Sequence, residues 1–220
     1  MKAVVFGASG LVGRHLVNQL LNSSAWQEVV VAGRNPLPLK HPKLTQVEVD
    51  FSSLNEHASL FEVDAVFSCL GTTMAKAGSR DAFRQVDFNY NYQVAKLTAE
   101  AGAKRFLLVS AYGASVSSPF FYSRVKGQLE EAVSELEIPR VVFMQPSLLL
   151  GKREEFRLTE QSFGSIANYL KPLWRNLRGP WWPVEAEAVA KAMAVAALLP
   201  QEAPIVRWQY AHIMAAGKEQ

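Results

Sequence analysis

Cysteine is nearly absent. Cys69 is the only one in 220 residues, so no disulfide can close within the chain, and a reducing compartment, taken as the cytoplasm, is expected. Long apolar runs are missing too. No stretch reaches the roughly 18–20 residues that a membrane-spanning helix needs, and with strand-forming residues from Lys2 onward no secretory leader is expected. His15, His41, His57 and His212 stand apart from one another and from any Cys-x-x-Cys pair, so no metal site is expected. An excess of charge of one sign is also missing. The net charge is +3 and the basic residues are scattered, which favours a solvated surface with phosphate ligands in a cleft over a nucleic-acid face. No repeat or low-complexity tract interrupts the chain.

What the chain does have is an apolar strand running straight into a spaced set of glycines: Lys2-Ala-Val-Val-Phe6, then Gly7-Ala-Ser-Gly10-Leu-Val-Gly13-Arg14, then an amphipathic helix. The first glycine allows a tight turn, the second a close approach of backbone to a pyrophosphate, and the third close packing of helix on strand. Free N–H groups and the macrodipole at the helix N-terminus favour the anion. Further strands are expected at Glu28–Gly33, Leu44–Asp50, Ala65–Cys69, Phe106–Ser110 and Val141–Gln145. Helices are expected at Leu11–Asn22, Ser79–Ala101 and Phe120–Leu136. Several strands are nearly continuous Val/Leu/Phe runs, as in a parallel sheet covered on both faces. The order predicts an α/β, doubly wound Rossmann sheet in a single dinucleotide-binding domain over residues 1–220. Composition shifts after Gly151, and 152–183 reads as a lid over a substrate cleft. An alanine-rich helix, Glu185–Leu199, and a strand at Ile205–Trp208 close the chain. Trp174, Trp181 and Trp182 suit a pocket wall or a core, with a membrane contact least favoured.

An NAD-preferring site places Asp or Glu about 20 residues past the glycine turn, on the ribose 2′-OH. Here the second strand ends Val31-Ala-Gly33-Arg34-Asn35, with no carboxylate. Arg34, helped by Arg14, offers a cation to a 2′-phosphate, so NADP(H) is expected ahead of NAD(H). Cofactor contacts are expected from Gly7, Ser9, Gly10, Leu11, Val12, Gly13 and Arg14 in the turn. Others are expected from Arg34, from Asp50 and Phe51 after the third strand (Asp50 accepting from an adenine amine), and from Cys69, Leu70 and Gly71 after the fourth.

Tyr122 and Lys126 are four apart, which puts them on one face of a helix. An ammonium there stabilises a phenolate, so Tyr122 can exchange a proton with a carbonyl or alcohol. A second match, Tyr92/Lys96, falls mid-helix, where packing is the simpler role. The stripe Phe83, Val86, Tyr90, Val94 and Leu97 reads as core, or as the face of a homodimer formed through the 79–101 helix.

These residues resemble the atypical branch of the short-chain dehydrogenase/reductase superfamily, and within it the oxidoreductase-like HIV Tat-interacting protein family. The carrying segments are the glycine turn, Cys69-Leu-Gly-Thr-Thr-Met-Ala-Lys-Ala-Gly78, Phe121-Tyr-Ser-Arg-Val-Lys-Gly127 and Gln145-Pro-Ser-Leu-Leu-Leu-Gly151. The resemblance implies Tyr122 as catalytic acid/base, Lys126 as its activator and ribose holder, and Pro146 and Ser147 near the nicotinamide. The hydroxyl on the substrate is expected from Ser110, with Ser115 or Thr72/Thr73 as alternatives. Two departures stand out. Ala111 follows Ser110 where a second hydroxyl is common, and Gln145 precedes the proline where Arg is common. The activity implied is hydride transfer between NADPH and a small carbonyl or alcohol. A cofactor-sensing regulator without turnover and a sugar-nucleotide epimerase-like enzyme are the alternatives.

Overall fold

The computed structural model describes residues 1–150, 181–200 and 203–217. Its strands are β1 (Lys2–Phe6), β2 (Glu28–Gly33), β3 (Leu44–Glu48), β4 (Ala65–Ser68), β5 (Phe106–Val109), β6 (Val141–Met144), β7 (Leu149–Leu150), β8 (Val184–Glu185) and β9 (Ile205–Trp208). Seven of them form one sheet in the order β3-β2-β1-β4-β5-β6-β9, with β7 and β8 paired separately. Every pair in the large sheet is parallel. The expected doubly wound Rossmann fold is therefore present.

Helices cover both faces, which is why the strands carry apolar residues at consecutive positions. On one face, α1 (Leu11–Asn22) and α6 (Ala186–Ala196) bury Leu16, Leu20, Val189 and Met193 against Val5, Val29 and Val142. On the other, α4 (Asn91–Glu100) and α5 (Phe121–Ser134) bury Val94, Leu97, Leu129 and Val133 against Phe6, Phe106 and Phe143. The alanine content of α6 lets it pack closely on α1. None of the described helices is long and apolar enough to cross a membrane.

The structure differs from the sequence expectation in its breaks. The helix expected over Ser79–Ala101 is α3 (Arg80–Arg84), a π turn over Gln85–Tyr90, and then α4. Both Asp87 and Asn91 are buried on this segment. β3 stops at Glu48 because Asp50 caps a 3-10 segment, Phe51–Phe61, its Oδ1 accepting from Ser52 N at 2.9 Å. The short α2 (Met74–Ala77) and α7 (Tyr210–Ala216) were not anticipated, since one or two turns carry little periodicity. Of the expected lid, 152–180 and Trp174 lie outside the described residues.

Candidate functional site

The glycine turn is defined by what its residues lack. Gly7 takes φ +76°, and a Cβ there would lie 2.5 Å from the Cys69 carbonyl carbon. The turns after β1 and β4 thus meet backbone to backbone. A Cβ on Gly13 would run into the Gly7 carbonyl oxygen, so helix and strand pack as the spacing implies. Gly10 sits extended, at φ −72° and ψ 172°, as the N-cap of α1. No side chain caps this helix and its first turn has no acidic residue. Its N–H groups are left facing the turn, which suits a pyrophosphate. Leu11 and Val12 are buried in the core, so only their backbone can serve a ligand. Ser9 and Arg14 are exposed beside them.

The loops after β2 and β3 are open. Arg34 is exposed at the end of β2, with no carboxylate beside it in sequence. The Asp50 carboxyl is held below its usual value by its bonds to Ser52. Phe51 is buried and stacks on Tyr90 at 5.1 Å, so its ring belongs to the core. Leu70 also packs partly into the core, whereas Gly71 is exposed. Cys69 is half-buried, and burial pushes its thiol up to about 12, which makes it a poor nucleophile.

At the opposite end, α5 starts at the C-terminal edge of the sheet, the edge onto which the glycine turn opens. Its first turn presents Tyr122, 40% exposed and tilted against Phe83 at 5.7 Å. One turn on, Lys126 is buried, with Nζ 2.8 Å from Asp87 Oδ1. The other oxygen of Asp87 accepts from Thr72 N at 2.8 Å. One carboxylate therefore ties Lys126 to the loop after β4. Asn91, also buried, accepts from Ser68 Oγ at 2.6 Å. At Gly127 a Cβ would strike the backbone of Ser115, so the β5–α5 loop lies directly on the helix. The competing pair does not share this setting. Lys96 is exposed and reaches Glu100 at 3.7 Å, and Tyr92 stacks on Phe88 at 6.0 Å.

Ser110 lies at the end of β5, buried, and its Oγ donates to Glu130 Oε1 at 2.5 Å. Glu130 also accepts from Gln145 Nε2, at 2.9 Å and 3.1 Å, and from Arg207 Nε at 2.8 Å. Sequence reasoning did not single out Asp87, Glu130 or Arg207. A signal existed for two of them: Asp87 falls on the apolar stripe of Phe83 and Tyr90, and Glu130 continues the face of Tyr122 and Lys126. Arg207, on a strand far along the chain, gave none. Pro146 is buried, its carbonyl accepting from Tyr112 N at 2.9 Å, and Ser147 Oγ donates to the Trp182 carbonyl. In the stripe read as core or dimer face, Phe83, Val94 and Leu97 pack into the chain's own core.

A doubly wound sheet with an uncapped, glycine-lined helix N-terminus defines a dinucleotide-binding protein, and residues 7–142 match the NAD(P)H-binding family. The chain belongs to that family, among the atypical short-chain dehydrogenase/reductases that include the FMP52 and HTATIP2 proteins. It is 35% identical over 217 residues to the mitochondrial protein FMP52-1 of Scheffersomyces stipitis, covering 94% of each chain. To Protein HTATIP2 of Rattus norvegicus it is 38% identical over 170 residues, covering 74% of this chain and 70% of the other. Among solved structures, MoeE5 in complex with UDP-glucose and NAD superposes with a TM-score of 0.68. It is 16% identical and covers 98% of this chain and 80% of its own, a likeness of fold. The relatives also correct the expected cytoplasmic location. FMP52 proteins of several fungi are named as mitochondrial. A single cysteine does not separate one reducing compartment from another, so that inference had no power here.

Proposed function

We propose that this protein is an NADP(H)-dependent oxidoreductase acting on a small carbonyl or alcohol. One observation carries the reading: Tyr122 and buried Lys126 stand a turn apart on α5, at the sheet edge where the glycine turn opens. The bound cofactor supplies or takes the hydride. Tyr122 Oη gives a proton to the substrate oxygen, or removes one in the reverse direction. Lys126, steadied by Asp87, meets the nicotinamide ribose. The turn Gly7–Arg14 seats the pyrophosphate, and Arg34 with Arg14 takes the 2′-phosphate. Asp50, Cys69 and Gly71 border the adenosine, and Pro146 and Ser147 the nicotinamide. Ser110 already spends its hydroxyl proton on Glu130, so it meets a substrate as an acceptor and Tyr122 is the donor. A homodimer and a mitochondrial location, the latter on the names of the fungal relatives, complete the proposal.

A second reading, a cofactor-binding regulator without turnover, is favoured by Ala111 and by that commitment of Ser110. The test is a titration with NADPH and NADH, followed by a panel of aldehydes, ketones and quinones monitored by NADPH absorbance. An Arg–phosphate contact contributes about 1.5–3 kcal/mol, so NADPH is expected to bind roughly tenfold tighter or more. Tyr122→Phe should slow turnover by about 10²–10⁴-fold with cofactor affinity kept. Tight NADPH binding with no turnover of any substrate selects the regulator. Full-rate turnover by Tyr122→Phe removes Tyr122 from the chemistry.

A further inference from the structure

Glu130 is a carboxylate placed where one is costly. Its side chain is 4% exposed, on the α5 face that carries Tyr122 and Lys126. Three elements that are far apart in sequence converge on it: Ser110 after β5, Gln145 after β6 and Arg207 on β9. The cluster extends to Gln209, whose Nε2 donates to Gln145 Oε1 at 2.9 Å. A buried carboxylate persists only with a cation and with its lone pairs satisfied. Gln145 reaches both oxygens but is neutral. The positive charge comes from Arg207, whose guanidinium lies over the Phe143 ring at 5.3 Å.

We propose that Glu130 and Arg207 are positioning residues for the nicotinamide end of the cleft. Through them the last strand of the sheet fixes Ser110 and the turn Gln145–Ser147. The proposal rests on the reading that this end receives the nicotinamide half of NADPH. Arg207 is half-exposed, so without its guanidinium water takes its place on Glu130 Oε2. That competes with Ser110 and Gln145 for the carboxylate and loosens the Pro146–Ser147 backbone with them. The adenosine half binds at the other end and has no part in this.

NADPH and 2′,5′-ADP separate the two halves. Both are titrated by calorimetry into the wild type, Arg207→Gln, and the relocated-charge variant Arg207→Gln/Gln145→Arg. Gln145 is the position for relocation because its amide already touches both Glu130 oxygens. The wild type should bind NADPH more tightly than 2′,5′-ADP. Arg207→Gln should lose about fivefold in NADPH affinity, the effect of one or two hydrogen bonds, with 2′,5′-ADP unchanged. The relocated charge should restore NADPH binding. Equal loss for both ligands means general loosening and overturns the proposal, as does no loss for either. If Arg207→Gln does not fold, the relocated variant decides. Wild-type affinity for both ligands supports the proposal; weak NADPH binding or failure to fold overturns it. Equal binding of the two ligands by the wild type fails the functional reading itself. A wild-type preference that survives in Arg207→Gln fails only the positioning role.

Discussion

The two ends of the sheet's C-terminal edge are built by opposite means. Around β1 and β4 the site consists of backbone, and its specificity comes from missing side chains at Gly7, Gly10 and Gly13. Around β5, β6 and β9 it is built on buried charge: Asp87 with Lys126, and Glu130 held by the half-exposed Arg207. The first end is local, contained within a few residues of one turn. The second is assembled from helices and strands far apart in sequence. A phosphate needs N–H donors and room, which one turn can give. A hydroxyl and an ammonium held for chemistry need partners on several sides, which one segment cannot give.

The buried-charge end should be the more fragile. Asp87→Ala leaves the Lys126 ammonium buried without its carboxylate and frees Thr72 N. The expected cost is about 3–5 kcal/mol in urea unfolding. The doubly neutral variant Asp87→Leu/Lys126→Met should recover most of it. A loss under about 1 kcal/mol for Asp87→Ala would erase the contrast between the ends.

The backbone end should lose ligand before it loses fold. Gly10 has a conformation that any residue adopts, and a Cβ there would lie 3.0 Å from the Gly7 oxygen. Gly10→Val should weaken NADPH about 100-fold or more with the thermal midpoint nearly kept. Gly13→Val, which strikes backbone, should instead unfold the protein. Equal melting of the two variants would show that the turn is only structural.

The smallest expected effect concerns Cys69, on the wall between the ends. Its thiol ordinarily titrates at 9.0 and is pushed up to about 12 by burial. Between those values the native state holds a proton that the unfolded chain has released. Stability from this group is therefore full below the lower value and declines as pH rises through the window. Cys69→Ala should flatten the decline in urea midpoint between about pH 8 and about pH 10.5. An unchanged slope would mean that the thiol titrates normally.

These contrasts match what was legible in the chain. The strand-glycine-helix unit and the alternation of strands and helices could be read from spacing and chain order. Strand ends were read one or two residues too long, because capping by Asp50 and the turns after Ser68 and Met144 end them earlier. Asp87 falls on an apolar stripe, but its partners Lys126 and Thr72 lie on other elements, where spacing does not reveal them. The partner of Ser110 was also hidden: nothing near it in sequence shows that Glu130 accepts its hydrogen bond.

The sequence by itself determined the parallel Rossmann sheet and its phosphate-binding turn, because each depends on local period and on glycine's missing side chain. Only the tertiary structure decided the electrostatics of the other end. A buried charge must be matched at hydrogen-bond distance, and the partner's place in the sequence is irrelevant to that requirement. Arg207 meets Glu130 across 77 positions, a pairing that exists only once β6 and β9 lie side by side.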